Sequence, residues 1–399
     1  MNFSQLTGNK GLFCDGDWIE KKDQDVNGNV RLIQLADIGE GTFKDKSSRY
    51  LTEATACRLN CTFLQQGDIL IARLPDPLGR ACIFPLNGKF ITAVDIAIVR
   101  IKDCAYNPRY VMYMVNSPQF RKEISRYESG TTRKRISRKN LDKIQFNVPD
   151  LPTQEHIVSK IEELFSRLDA SVAELQTAKE KLKVYRQAVL KEAFDSVQAN
   201  SKRVTIKSVC ETIKVGIVIK PTQYYVEQGG VFAFRNANVR RNYIEDKDWA
   251  MISQEGHQKN LKSQVHIGDV LIARSGVNLG MAATVPQKYD GYNAIDVVIA
   301  VPKKEFILSQ YLAQYTNSPY GLEIVRKNQH GAAQGHLNVK EYGNLPIFLP
   351  NIPEQYSLLK KIESRLSVCD NIEQTIDTSL QQAEALRQSI LKQAFEGEM

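Results

Sequence analysis

A chain of 399 residues exceeds the usual reach of one hydrophobic core, so two or more domains are expected. With 42% hydrophobic and 25% charged residues it falls outside the compositions of disordered and low-complexity chains. The formal net charge of +8 favours a polyanionic partner such as a nucleic acid or an acidic membrane surface. The start, MNFSQLTGNK, carries neither the basic opening nor the apolar run of a secretory signal, and no stretch reaches the roughly 18 apolar residues that span a bilayer. A cytoplasmic protein without a membrane partner is therefore expected. Seven cysteines, at 14, 57, 61, 82, 104, 210 and 369, form no CxxC pair, so reduced, mostly buried thiols are expected and neither a disulfide framework nor a zinc site.

In chain order, the first 150 residues mix strand and loop signals: β-rich runs at Ile69–Ala72 and Phe90–Ile101 lie between Gly, Pro and Asp punctuation. A helical stretch around Tyr110–Val115 leads into Asn116-Ser117-Pro118, where Ser117 is placed to cap a second helix beginning at Pro118. From Pro152 to about Ser196 there is no Gly and no further Pro, which predicts one long helix. Apolar or small residues at 161, 164, 168, 171, 175, 178, 182, 185 and 189 follow the alternating 3-4 spacing of a coiled-coil seam.

The second half of the chain repeats the first. Gly67-Asp68-Ile69-Leu70-Ile71-Ala72-Arg73 returns as Gly268-Asp269-Val270-Leu271-Ile272-Ala273-Arg274, an offset of 201 residues. The same offset carries Ala93-Val94-Asp95 onto Ala294-Ile295-Asp296, Asn116-Ser117-Pro118 onto Asn317-Ser318-Pro319, and Gln187–Phe194 onto Gln388–Phe395. It also predicts a second long helix from Pro353 to about Glu396, with Ile362, Cys369, Ile372, Ile376, Ala383, Leu386 and Ile390 on matching heptad positions, interrupted by Arg365 and Ser379. Helices of about 44 residues would be roughly 66 Å long. Paired antiparallel, they would set one mixed domain at each end with approximate two-fold symmetry. The predicted fold is thus α+β: mixed domains at 1–150 and 199–350, and long helices at 151–198 and 351–399 that form an antiparallel coiled coil.

Charge is concentrated rather than spread. Between Arg121 and Lys143 lie nine basic residues against three acidic ones. The donor-rich loop around Gly130 makes Arg126, Thr131, Thr132, Arg133, Lys134, Arg135, Arg138 and Lys139 candidates for phosphates and for the acceptor edge of guanine. Its counterpart keeps glycine but exchanges cations for amides and imidazoles, offering Arg326, Lys327, Asn328, Gln329, His330, Gln334 and His336; asparagine and glutamine pair bidentately with adenine. A second divergent strip sets Ile33–Glu40 against Phe234–Arg241, where Arg235, Asn236, Asn238, Arg240 and Arg241 suit nucleic acid. Arg73 and Arg274 end apolar strands and lead into loops containing Arg80 in one copy and Ser275 and Asn278 in the other. An exposed cation there could meet a phosphate, and a structural salt bridge is the competing reading. For the loop residues the competing reading is a solvated surface.

Signals for chemistry are absent from the sequence. It holds no GxxxxGK[ST] phosphate loop, and Asn107-Pro108 is followed by Arg109 rather than continuing as an Asn-Pro-Pro-Tyr amino-methylation motif. The five histidines show no ligand spacing, so neither a catalytic nor a metal residue is predicted.

These residues resemble the type I restriction-modification specificity subunits. The most specific likenesses are the two Gly-Asp-x-Leu-Ile-Ala-Arg strands, the helix starts Leu151-Pro152-Thr153-Gln154-Glu155 and Ile352-Pro353-Glu354-Gln355, and the helix ends Leu190-Lys191-Glu192-Ala193-Phe194 and Leu391-Lys392-Gln393-Ala394-Phe395. The resemblance implies a non-catalytic reader of double-stranded DNA, with one half of a bipartite, asymmetric target per recognition domain. It also implies helices that fix the unread spacer and dock two methyltransferase subunits. S-adenosylmethionine, ATP and magnesium would then belong to the methyltransferase and to restriction/translocase subunits, with no cofactor in this chain. A recognition module of a fused restriction-methylation enzyme, and a structural or regulatory coiled-coil DNA-binding protein, stay open as alternatives.

Overall fold

The computed structural model describes residues 1–75, 77–131, 133–327 and 336–397, without the side chains of 324–327. The chain forms two compact units, Met1–Leu175 together with Thr378–Met399, and Gln176–Asp377. Because both boundaries fall inside long helices, Leu151–Gln198 and Ile352–Glu396, each helix contributes one half to each unit.

In the first unit a four-stranded antiparallel sheet has the order β1 (Leu12–Asp15), β7 (Ile96–Arg100), β4 (Ile69–Ala72), β5 (Ala81–Ile83). A three-stranded sheet pairs β2 (Val30–Ile33) antiparallel with β3 (Arg49–Leu51) and parallel with β6 (Phe90–Thr92). Within the second unit, β8 is Lys202–Thr205, and β9 (Cys210–Val215), β15 (Val297–Pro302), β12 (Val270–Ala273) and β13 (Ala282–Thr284) repeat the first order. Here β10 (Val231–Phe234), β11 (Ala250–Ile252) and β14 (Asn293–Ala294) repeat the second sheet, and β16 (Pro346–Leu349) pairs with β8. In the first unit the place of that last pair is taken by the chain start: the Met1 amino group donates to Phe146 O at 2.8 Å and Phe146 N to Met1 O at 2.9 Å.

The shared motifs are the residues that hold this frame. In Gly-Asp-x-Leu-Ile-Ala-Arg the strand is buried on both faces: Ile69 and Ile71 enter the core beneath the helices, while Leu70 and Ala72 enter the core of the opposite face. Its glycines, Gly67 and Gly268, sit at φ +93° and +89°, a left-handed conformation that disfavours any side chain. The Asn-Ser-Pro asparagines clasp the neighbouring strand. Asn116 Oδ1 accepts Ala81 N at 3.0 Å and its Nδ2 donates to Ala81 O at 2.8 Å; Asn317 does the same to Ala282 at 2.9 and 2.8 Å. Ser117 caps the helix Pro118–Tyr127 by accepting Phe120 N, as its spacing predicts.

Gln154 and Gln355, fully buried three residues into each long helix, tie the helix start to the loop ahead of an earlier helix. Gln355 accepts Leu308 N at 2.9 Å and donates to Phe306 O and Pro350 O at 2.8 and 2.9 Å, and Gln154 repeats all three bonds with Asn107, Ala105 and Pro149.

The long helices pair antiparallel within each unit. In the first, Ile161 packs on Ile390, Leu391 and Ala394, and Arg387 pairs with Asp169 while stacking on Phe165. In the second, Lys179 meets Asp377 at 2.5 Å, Arg186 meets Asp370 at 2.7 Å, and Arg365 meets Glu192 at 2.7 Å. The predicted seam is only half realised. The heptad line through 161, 168, 175, 182 and 189 is buried or half-buried, whereas Ser171, Ala178 and Tyr185 are exposed; on the second helix Ile362, Cys369, Ile376 and Ile390 are buried, whereas Ile372 and Leu386 are exposed. Ion pairs flank the single buried line in place of a second apolar one.

Of the seven cysteines, Cys82, Cys210 and Cys369 are buried, while Cys57 and Cys104 are exposed, fewer buried thiols than expected. Among the described residues no helix is long and apolar enough to cross a membrane.

Two outcomes follow. Gln355→Ala strips three backbone groups of their partner and should cost about 2–4 kcal/mol, read as an earlier urea-unfolding transition of the full chain. Burial raises the Asp17 carboxyl to about 6, against the lowering effect of the Thr62 N–H it accepts. A carboxyl whose folded value lies above its unfolded value contributes stability at low pH that is lost as pH rises through about 6. Asp17→Asn should therefore gain on the wild-type melting temperature between pH 4 and 7, with the advantage growing toward pH 7.

Candidate nucleic-acid interface

The segments that diverge between the repeats come together at one edge, all three in the first unit and the strip and turn in the second, and bonds from inside hold them there. In the first unit the strip 34–40 and the turn 73–80 are joined by Arg80. Its Nε donates to Ile38 O at 2.8 Å and its Nη2 to Leu35 O at 2.9 Å, while Nη1 reaches Leu74 O and Pro77 O at 3.3 and 3.2 Å. Beside it, Arg121 donates to Leu78 O and to Asn116 Oδ1 and lies 3.7 Å from Glu40; burial draws its guanidinium down to about 10 against the pull of that carboxylate. The basic loop joins the same edge, because Ile136 N donates to Arg73 O at 3.1 Å. Ser129 and Arg135 bridge its two arms with reciprocal 2.8 Å bonds, and Gly130 at φ +97° makes the bend.

The second unit reaches the same arrangement with other atoms. Met281 stands where Arg80 would be, and asparagines take over. Asn278 Nδ2 donates to Asn236 O at 2.9 Å, Asn236 Nδ2 donates to Ser275 Oγ at 2.9 Å, and Asn236 Oδ1 accepts Arg274 N at 2.8 Å. Leu337 N donates to Arg274 O at 2.9 Å, the counterpart of the Ile136 bond. The buried strip position also changes character. Asp37 accepts the N–H groups of Gln34, Lys46 and Ser47, whereas Asn238 accepts Arg235 N and donates to Glu245 O and Lys247 O.

These bonds sort the predicted residues. Arg80, Asn238 and Asn278 are buried, at 7%, 0% and 5% exposure, with their polar groups spent on backbone; they build the edge instead of facing a ligand. Arg73 and Arg274 are not exposed cations. Only 14% and 13% of each side chain is accessible, and they lie 3.3 Å from Asp15 and 3.4 Å from Asp296, the salt-bridge reading. Asn236 and Ser275 also bond to Asp296, and His336 lies 3.7 Å from it. Arg126 pairs with Glu123, Lys134 with Glu128, Arg138 with Asp15, and Arg240 with Glu245, while Arg235 donates to Asp248 O. Arg241 lines a polar cavity of about 650 Å³. Thr131, Arg133, Arg135 and Lys139 are exposed, and these three cations carry no side-chain partner among the described residues. Thr132, Asn328, Gln329, His330 and Gln334 lie outside the described residues, as do the side chains of Arg326 and Lys327.

Sequence reading missed Arg121, Asp15 and Asp296 as members of the edge. Asp296 had a signal, since the repeat pairs it with Asp95. Asp15 had none: β1 and β9 place Gly16 opposite Gly216 in the repeat, an offset of 200, so the constant offset fails there. Both glycines are required, because a Cβ would lie 2.3 and 2.2 Å from a carbonyl oxygen of the facing chain.

Each unit also holds a groove against its helix pair, built from repeat-equivalent positions. Tyr113, Glu162, Phe165, Asp169 and Arg387 line one; Gln314, Glu363, Leu366, Asp370 and Arg186 line the other.

Comparison with known proteins agrees with this architecture. A family model described as the type I restriction modification DNA specificity domain matches residues 13–180. The chain is 25% identical over 323 residues to the type I restriction enzyme EcoBI specificity subunit of Escherichia coli, covering 75% of this chain and 68% of that one. It is 23% identical over 306 residues to the EcoKI specificity subunit of Escherichia coli strain K12, covering 73% and 65%. The alignments thus span about two thirds of those relatives. Among solved structures, a chain from a study of complex assembly and conformational transition of the type I R-M system superposes with a TM-score of 0.72 at 17% identity, covering 100% of this chain and 97% of that one. The HsdS subunit from Thermoanaerobacter tengcongensis gives 0.51 at 16% identity, with 98% of both chains covered. This two-unit chain with duplicated frames and divergent edges is similar to the type I restriction-modification specificity subunits, over most of its first unit by the family model and over about three quarters of its length by those relatives.

The edge predicts a separation of effects. Arg80→Met should lower stability by about 2–4 kcal/mol through four abandoned carbonyls. Arg133→Ala and Arg135→Ala should leave unfolding unchanged and each reduce the slope of log affinity for DNA against log salt by about one, measured on the assembled complex across a salt series.

Proposed function

We propose that this chain directs a type I complex to a bipartite, asymmetric DNA target, one half read by the edge of each unit, with the long helices setting the unread spacer. The observation that carries this reading is the pairing of a common frame with unlike edges: the same strand order and the same asparagine and glutamine clasps support edges whose sequences differ, Arg133-Lys134-Arg135 in one copy standing where the other has Gln334-Gly335-His336. Two copies of one frame with different contact chemistry suit two different half-sites.

Two partner copies fit the same logic. The repeat-equivalent grooves offer two versions of one docking surface, and the exposed apolar residues Val184, Tyr185, Val368 and Ile372 on the long helices add surface that a partner helix would cover. We assign these surfaces to two methyltransferase subunits. Methyl transfer with S-adenosylmethionine belongs to them in this reading, and ATP- and magnesium-dependent translocation and cleavage to a restriction subunit, in the cytoplasm where the DNA lies. This chain then contributes recognition and no catalytic group.

The test is genome-wide mapping of adenine methylation in a host expressing this chain with its cognate methyltransferase subunit, against the methyltransferase alone. A split, asymmetric motif that depends on this chain is the expected result. An assembled complex that adds no motif would overturn the reading.

A further inference from the structure

The turn Ser275–Gly280 of the second unit ends in a side chain that the frame does not use. Val277 is 95% exposed, the most exposed large apolar residue described, and it stands on a turn that is otherwise fixed. Gly276, at φ +73°, starts the turn, and Leu279 N and Gly280 N close it on Gly276 O and Ala273 O at 3.2 and 2.8 Å. Asn278 and Ser275 on either side are bound to Asn236. The valine is thus held out on a rigid support three residues beyond Arg274, whose carbonyl accepts Leu337 N.

A single exposed valine is ordinary on a protein surface. This one is set apart by its position in the repeat. Its counterpart in the sequence is Asp76, which lies outside the described residues between Pro75 and Pro77; the carbonyls of Leu74 and Pro77 on either side are bound by Arg80. The described parts of both segments are stiffened, by unrelated means, at the edge where the repeats diverge, and in the sequence the residue at this position changes from carboxylate to branched alkyl. A stiff support with an interchangeable side chain is what base discrimination requires, and each side chain has its own counterpart in the major groove: an apolar group meets the thymine 5-methyl, and a carboxylate accepts from the cytosine amino group.

We propose that Val277 is a specificity-determining residue that touches the 5-methyl of one thymine in the half-site read by the second unit. This rests on the reading of the chain as a DNA specificity subunit. It is tested with the assembled complex once its methylated motif is mapped, using duplexes in which each thymine of one half-site in turn is replaced by deoxyuridine, which lacks only the methyl. The wild-type complex should bind one of these duplexes about four-fold more weakly, the fold-change of one buried methyl group. Val277→Ala should lose that discrimination while unfolding at the wild-type temperature. Val277→Asp should change the methylated motif at one position of that half-site only. Equal binding of every substituted duplex by the wild type, discrimination unchanged in Val277→Ala, or a half-site without thymine would each overturn the assignment of Val277. Loss of any split motif in the wild-type complex would instead overturn the functional reading beneath it.

Discussion

The edge of each unit depends on satisfying backbone carbonyls from within. A strip and a turn that run over a sheet have no ladder of their own, and their carbonyls must find donors or keep water. Arg80 meets this need with one side chain that bonds four carbonyls of both segments, and Asn278 with Asn236 meets it with two amides. Once those donors are in place, the outward side chains of the strip and turn are free of structural duty. The same division explains why several inviting polar residues proved to be interior supports: a long donor near a loop is as useful to the loop's carbonyls as to a phosphate.

The long helices follow a related economy of contact. A full two-line seam would bury both heptad lines against the partner helix. Here one line is buried and the other is exposed at Ser171, Ala178, Tyr185, Ile372 and Leu386, and ion pairs such as Arg186 with Asp370 and Glu373 fix the antiparallel register. Exposed pairs of this kind add little stability, but opposite charges discriminate against a slipped register, where like charges would meet. The buried line is completed at its ends by Phe194 and Phe395, equivalent residues that pack against tyrosines of the adjoining helices, Tyr311 and Tyr315 in one unit and Tyr110 in the other. The helix ends are thus part of the domain cores, which accounts for the strong likeness of Gln187–Phe194 and Gln388–Phe395.

The frame was largely legible in the sequence because it repeats. Each shared motif proved to be a bonded junction, and the heptads and the glycine-free stretches predicted both long helices. What the sequence concealed were features that the repeat does not share or that depend on a third element. The exposure of Ile372 and Leu386 follows from how the helices meet, and apolar spacing alone cannot distinguish a line facing a helix from one left uncovered. The arginines were misjudged for a similar reason: Arg73 and Arg80 sit in basic, glycine-bearing sequence, and only the fold reveals Asp15 and the carbonyls of Leu35 and Ile38 beside them. Asp15 lies in a strand where the repeat slips by a residue, so self-comparison could not pair it.

The two solutions for one edge bear on how such a chain changes its target. If the same residues both built the edge and read the ligand, a new specificity would risk the fold. Asp37 and Asn238 show the separation: a carboxylate that collects N–H groups and an amide that also donates to carbonyls hold the same 3₁₀ turn in place, each matched to its own following loop. Support residues therefore change together with the loop they serve, as local sets, while the sheet order and the glutamine and asparagine clasps stay constant. Reading residues then vary outside those sets at little cost in stability, because exposed positions that support nothing contribute little to it.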